Sequence, residues 1–132
     1  MKYCADTWYI LEIFEGIENA KDIFQNAKQQ GHILVPVIVY AESFKKLMQK
    51  GMNIKAITDF FETAVILGKI SIIAADTFLA TEAAKISLTF NLPLMDSFVA
   101  ATAKLYNCDF LLAADSDYNL LIKKKYIKIK NW

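Results

Sequence analysis

The chain has 132 residues, 55% of them hydrophobic, with only 4 Gly and 2 Pro; this fits one folded domain, residues 1–132, and excludes intrinsic disorder and collagen-like repeats. Fifteen Lys and Arg nearly cancel fourteen Asp and Glu, so no long-range field of one sign exists to draw the protein onto duplex DNA or anionic lipid. Any contact with nucleic acid must be local.

The longest apolar stretch, residues 33–41, contains Pro36 and is about half the ~20 residues of a membrane-spanning helix, so no membrane partner is expected. Asp6, Glu12 and Glu15 break the apolar run that a secretory signal needs, and a cytoplasmic location is expected. In chain order, a strand over residues 2–5 leads into an apolar helix, Trp8-Tyr9-Ile10-Leu11 with Ile13-Phe14. Ala20, Ile23, Phe24 and Ala27 recur at helical spacing and predict a helix over residues 18–30, stopped by Gly31 as its cap. A strand over 32–35 precedes a second strongly apolar helix that opens with residues 37–41. Ile54, Ile57, Phe60, Phe61, Ala64 and Val65 share one side of a helix over 54–67, ended by Gly68. A strand over 70–73 follows, and then a helix over 77–90 with Asp76 as N-cap, which is expected to bury Phe78, Leu79, Ala83, Ile86 and Phe90. After Pro93 a helix is expected from near Asp96 to Tyr106, with Asn107 as its stop, and strands over 110–113 and 127–129 complete the chain.

Short apolar strands alternating with helices predict an α/β fold with a parallel sheet. The two nearly all-apolar helices exceed what one-sided burial needs, so part of that surplus is expected to form a homodimer interface. Cys4 and Cys108 lack metal-ligand spacing and read as small buried thiols, and His32 reads as a turn or strand-edge residue.

Most acidic residues lie on polar helix faces, in turns or at caps. Asp6 and Asp115 instead follow strands, Asp96 opens a helix, and Glu42 lies near the first turns of the helix after the second strand. In an open parallel sheet all of these positions fall on one edge, where ligands gather. Two unit charges ~5 Å apart repel by about 3 kcal/mol at an effective dielectric of ~20, so such a cluster must take up protons or a cation. Oxygen donors without His or Cys favour Mg2+ or Mn2+, and a cation held by a few carboxylates suits phosphodiester hydrolysis.

Four segments then match a known family. Lys2-Tyr3-Cys4-Ala5-Asp6-Thr7, Val39-Tyr40-Ala41-Glu42, Leu94-Met95-Asp96-Ser97-Phe98-Val99-Ala100-Ala101 and Leu111-Leu112-Ala113-Ala114-Asp115-Ser116-Asp117-Tyr118 occur in the order of PIN-domain motifs. The chain resembles a PIN domain over nearly its whole length, and most closely the short VapC-type toxins of prokaryotic toxin–antitoxin pairs. The resemblance implies a three-layer α/β/α fold with a five-stranded parallel sheet, Mg2+- or Mn2+-dependent endoribonuclease activity on RNA, a homodimer and a cognate antitoxin. By position it implies Asp6, Glu42, Asp96 and Asp115 as catalytic metal-binding acids, Asp117 as a fifth ligand, and Thr7 as a support for Asp6 through its hydroxyl. The chain departs from the family at Trp8, where a small polar residue is usual; a ring there would narrow the site or stack on a base.

Because net charge is near zero, phosphate contacts fall to local lysines: Lys45 and Lys46 beyond Glu42, and the run Lys123-Lys124-Lys125. A housekeeping RNA-processing nuclease is an alternative within the same chemistry. A binding-only PIN-like protein would explain Trp8, and a phosphoacceptor receiver domain would need Asp76 as its acceptor.

Overall fold

The chain forms β1 (Lys2–Ala5), β2 (His32–Pro36), β3 (Ile70–Ile73), β4 (Phe110–Leu112) and β5 (Ile129–Lys130), all in one parallel sheet ordered β3-β2-β1-β4-β5. The computed structural model describes residues 1–28 and 31–132, Asp115 by its backbone alone. Seven α-helices are present among the described residues: α1 (Thr7–Phe14), α2 (Glu18–Asn26), α3 (Val37–Gln49), α4 (Ile54–Ile66), α5 (Thr77–Phe90), α6 (Leu94–Leu105) and α7 (Asn119–Lys123). They flank the sheet in a three-layer α/β/α arrangement, and α6 lies against β1, β2 and β4. None is long and apolar enough to cross a membrane.

The central strands are apolar because both of their faces are covered. Cys4, Ala5, Ile33, Val35, Leu111 and Leu112 are fully buried, whereas the edge strands β3 and β5 are mostly half-buried. β1 is the turning point of the topology. From it the chain builds outward through β2 to β3, then returns to the other side of β1 for β4 and β5. The crevice beyond the carboxyl ends of β1 and β4 is therefore a topological switch point, the usual ligand position in such sheets.

Local chemistry sets most boundaries where the sequence puts them. Asp76 caps α5, its Oδ1 accepting from the Leu79 N–H at 2.8 Å, and Asn53 caps α4 in the same way through Ala56. At the end of α4, Gly68 takes φ +73°; its N–H reaches the Val65 carbonyl and the Lys69 N–H reaches that of Ala64, the paired bonds of a Schellman ending.

Several expectations need correction. α2 ends at Asn26 rather than running to residue 30, because Lys69 reaches in from the start of β3 and its Nζ donates to the carbonyls of Phe24 and Gln25 at 3.2 and 2.9 Å. Gln29 and Gln30, inside the expected helix, lie outside the described residues. α6 starts at Leu94, with Pro93 at its cap position, so Asp96 sits inside the first turn instead of capping the helix. β4 ends at Leu112, one residue early, and β5 begins at Ile129, because Leu111 and Leu112 pair with Ile129 and Lys130.

Phe78, Ile54 and Val65, expected in the core, are exposed. Of the two strongly apolar helices, α1 spends its surplus on the core, with Tyr9 and Ile10 fully buried and Trp8, Leu11, Ile13 and Phe14 packed against it, whereas Val37 at the start of α3 is exposed, together with Val65, Ile66, Leu67, Phe78 and Leu88 of the α4 end and α5.

Gly31 is needed for close approach rather than for capping: a Cβ there would lie 2.7 Å from the Met1 carbonyl oxygen and 2.8 Å from Tyr3 Cε2. Gly31→Ala should destabilise the fold by about 1–3 kcal/mol, read as a lower denaturant midpoint; an unchanged midpoint would show that the β1–β2 entrance tolerates a side chain.

Candidate active site

Asp6 follows β1 directly. Its N–H continues the sheet by donating to the Leu112 carbonyl at 3.0 Å, and its side chain caps α1. One residue thus closes the switch-point crevice and opens a helix, which leaves Asp6 only 8% exposed. Oδ1 accepts from the Thr7 N–H at 2.8 Å, and Oδ2 accepts from the Tyr118 hydroxyl at 3.1 Å.

The other acids arrive from separate elements. Glu42 lies on the second turn of α3, Asp96 in the first turn of α6, and Asp117 ends the short 3-10 turn Asp115–Asp117 that follows β4. The backbone of Asp115 opens that turn at the same sheet edge; its side chain lies outside the described residues. Burial pushes the Asp6 carboxyl up to about 6, against the lowering effect of its Thr7 and Tyr118 hydrogen bonds, and the charges of Glu42 and Asp117 push it further. Asp96 also rises to about 6, first through burial and then through the charges of Asp6, Asp117 and Glu42. Asp6 and Asp96 therefore each lie within electrostatic reach of Glu42 and Asp117.

Among the described residues, which leave out the Asp115 side chain, no group of three His, Cys, Asp or Glu is placed to hold a metal ion by itself. Mg2+ seldom needs such a group, since it keeps several waters and takes one or two carboxylates together with substrate phosphate oxygens. The donor set is all hard oxygen, and Glu42 shares its charge with Lys46, whose Nζ lies 4.0 Å from Oε1 in an exposed i,i+4 pair. The buried Thr7 Oγ1 and Ser43 Oγ, each next in sequence to one of these acids, have no hydrogen-bond partner among the described residues. The residues present fit a hydrated divalent cation.

Thr7 differs from expectation in its means of support: it holds Asp6 through its backbone N–H, while its hydroxyl makes no bond to Asp6. Trp8 does not stand free, because the Trp132 ring lies 4.9 Å from it and donates from Nε1 to Glu12 at 3.1 Å. Lys45 and Lys46 share a cleft of about 290 Å³ with Glu42 and Met95, the neighbour of Asp96. Lys123 and Lys124 are exposed at the end of α7, and Lys125 lines a cavity of about 350 Å³ with Asp109 and Lys128, at the amino ends of β4 and β5 and so on the opposite edge of the sheet. Asp76, the acceptor that a receiver domain requires, is occupied as a helix cap beyond an edge strand. His32 pairs with Ser71 at 2.7 Å, and Cys4 and Cys108 are free thiols, Cys4 buried and Cys108 half-buried. The partner that sequence reasoning passed over is Tyr118, whose only signal was an aromatic after Asp-x-Asp.

An α/β sheet with carboxylates gathered over its switch point defines the class. The chain matches the PIN domain over residues 3–124 and belongs to that family. In fold it is similar to VapBC2 of Rickettsia felis bound to a promoter DNA fragment, at 15% identity and TM-score 0.74 over 100% of this chain and 99% of that one. It is also similar to a toxin–antitoxin complex from Klebsiella pneumoniae, at 21% identity and TM-score 0.64 over 88% and 89% of the two chains. A third likeness is to Mycobacterium tuberculosis VapC20, a sarcin–ricin loop cleaving toxin, at 12% identity and TM-score 0.68 over 89% and 92%. No curated protein matches the sequence significantly.

A raised carboxyl pKa in the folded state makes stability fall as pH rises. Metal-free protein should be most stable near pH 4 with respect to Asp6 and lose on the order of 2–3 kcal/mol as pH climbs through about 6. Asp6→Asn should flatten that part of the profile in denaturant midpoints measured from pH 4 to 8, whereas a wild-type profile rising over the same interval would contradict the buried-acid geometry.

Proposed function

We propose that the protein is a divalent-metal-dependent endoribonuclease, using Mg2+ or Mn2+, that cleaves single-stranded RNA as the toxin of a toxin–antitoxin pair. The observation that carries this reading is the placement of Asp6 and Asp96, with Glu42 and Asp117 near them, at the switch-point edge of a PIN sheet, the first two raised to about 6 by burial and by the charges of neighbouring acids. Fold likeness to toxin–antitoxin complexes, and to a toxin that cleaves the sarcin–ricin loop, supports the choice of substrate and partner.

Asp6, Glu42, Asp96 and Asp115 are the catalytic acids of this reading, and Asp117 is a further ligand. When bound, the cation neutralises the scissile phosphate, lowers the pKa of an attacking water and stabilises the leaving oxygen. Asp6 supplies a carboxylate held at both oxygens. Asp96 supplies one from a helix first turn, where the helix dipole favours negative charge. Glu42 and its neighbours Lys45 and Lys46 form the flank along which a phosphate chain runs. The outward apolar side chains of α4 and α5 are the surface that a homodimer or an antitoxin would cover.

Asp6→Asn and Asp96→Asn should each lower cleavage of a single-stranded RNA by about 10³-fold or more while the fold persists, since several kcal/mol of charge stabilisation is lost. Chelation with EDTA should abolish cleavage, and added Mg2+ or Mn2+ should restore it. Wild-type protein that binds metal and RNA without cleaving would instead support the binding-only alternative, and growth unaffected by expression of an active enzyme would favour housekeeping RNA processing.

Lys45→Gln with Lys46→Gln should weaken RNA binding and reduce the salt slope by roughly 1–2. The triple Gln replacement of Lys123, Lys124 and Lys125 should have the smaller effect because Lys125 lies at the far edge. Equal or reversed effects in a filter-binding salt series would place the RNA path along α7.

A further inference from the structure

We infer that Tyr118 is the positioning residue of the acidic centre: its hydroxyl and the Thr7 N–H together fix the Asp6 carboxylate in the orientation in which it receives a divalent cation. This inference rests on the metal-dependent reading above and deepens it.

The Tyr118 side chain is fully buried, so its hydroxyl must be satisfied inside the protein or cost free energy. It is spent on Asp6 Oδ2, at 3.1 Å, across 112 residues of chain. A carboxylate held by one donor still rotates about its last bond. Held at Oδ1 by Thr7 and at Oδ2 by Tyr118, it has its plane fixed, with lone pairs left on both oxygens for a cation. The two donors come from different elements. Thr7 is the first residue of α1, and Tyr118 follows Asp117 at the cap of α7, so the turn that delivers Asp117 also delivers the phenol.

A phenylalanine would fill the same core volume and leave Asp6 Oδ2 without this donor.

The experiment is a Mn2+ titration of the full chain without RNA, following the EPR signal of free Mn2+ at fixed pH, for wild type and Tyr118→Phe. The Kd should rise about 10- to 100-fold, the range for loss of an outer-shell partner. Cleavage by the variant should recover as Mn2+ is raised, with KM for RNA at saturating metal unchanged. An unchanged Kd in a folded Tyr118→Phe protein overturns the inference and leaves the nuclease reading standing, whereas a wild type that binds no Mn2+ overturns both. Should Tyr118→Phe fail to fold, 4-fluorophenylalanine at position 118 keeps the bulk without a proton to donate, and 4-aminophenylalanine restores a donor. Weak binding with the first and recovery with the second supports the inference, and equal affinities overturn it.

Discussion

The structure is organised around a carboxylate placed where carboxylates are costly. Asp6 sits in the crevice where the sheet order reverses; its backbone is locked to β4 and its side chain is almost wholly removed from solvent. Burial raises its pKa to about 6, and the charges of Glu42 and Asp117 add to the burden. Nothing in folding alone calls for this arrangement, because an asparagine would cap α1 as well and repel nothing. The cost is relieved by a proton or by a bound cation, and the all-oxygen donor set supports the hard-cation reading proposed above.

The elements around Asp6 can be read as devices for holding that charge at a fixed place. The Asp6 N–H to Leu112 bond extends the β1–β4 ladder by one residue, so the carboxylate is placed by the sheet rather than by a loop. α6 brings Asp96 in its first turn, α3 brings Glu42 on its second, and the turn after β4 brings Asp117 and the phenol of Tyr118. Each acid depends on a different helix or turn docking on the sheet, so the cluster exists only in the folded chain. The aromatic pairing of Trp8 with Trp132 fastens the residues after β5 to α1 beside this edge, and Asn131 adds a bond to the Ala113 carbonyl.

Positive charge is divided rather than concentrated. Lys45 and Lys46 border Glu42, while Lys125 and Lys128 face the opposite edge, so a near-zero net charge still permits a local phosphate path next to the acids.

The strand positions to within two residues, the cap at Asp76, the glycine ending of α4 and the places of Asp6, Glu42 and Asp96 at the starts of helices were legible in the sequence, because each follows from local rules: apolar runs, helical spacing, a side chain bonding its own backbone three residues on. The parallel α/β class followed from the alternation of those elements, and the family from the order of four short segments. What only the tertiary structure decided are interactions between residues remote in the chain. Lys69 ends α2 early from the start of β3, the close approach of Met1 and Tyr3 explains Gly31, and Trp132 occupies the ring of Trp8. In the sequence Tyr118 is only the aromatic after Asp-x-Asp; its hydroxyl bond to Asp6 is a tertiary contact, and Thr7 acts through its backbone. Local rules assign a residue to an element. Which oxygen receives which proton depends on how elements 112 residues apart pack against each other, and no local pattern carries that information.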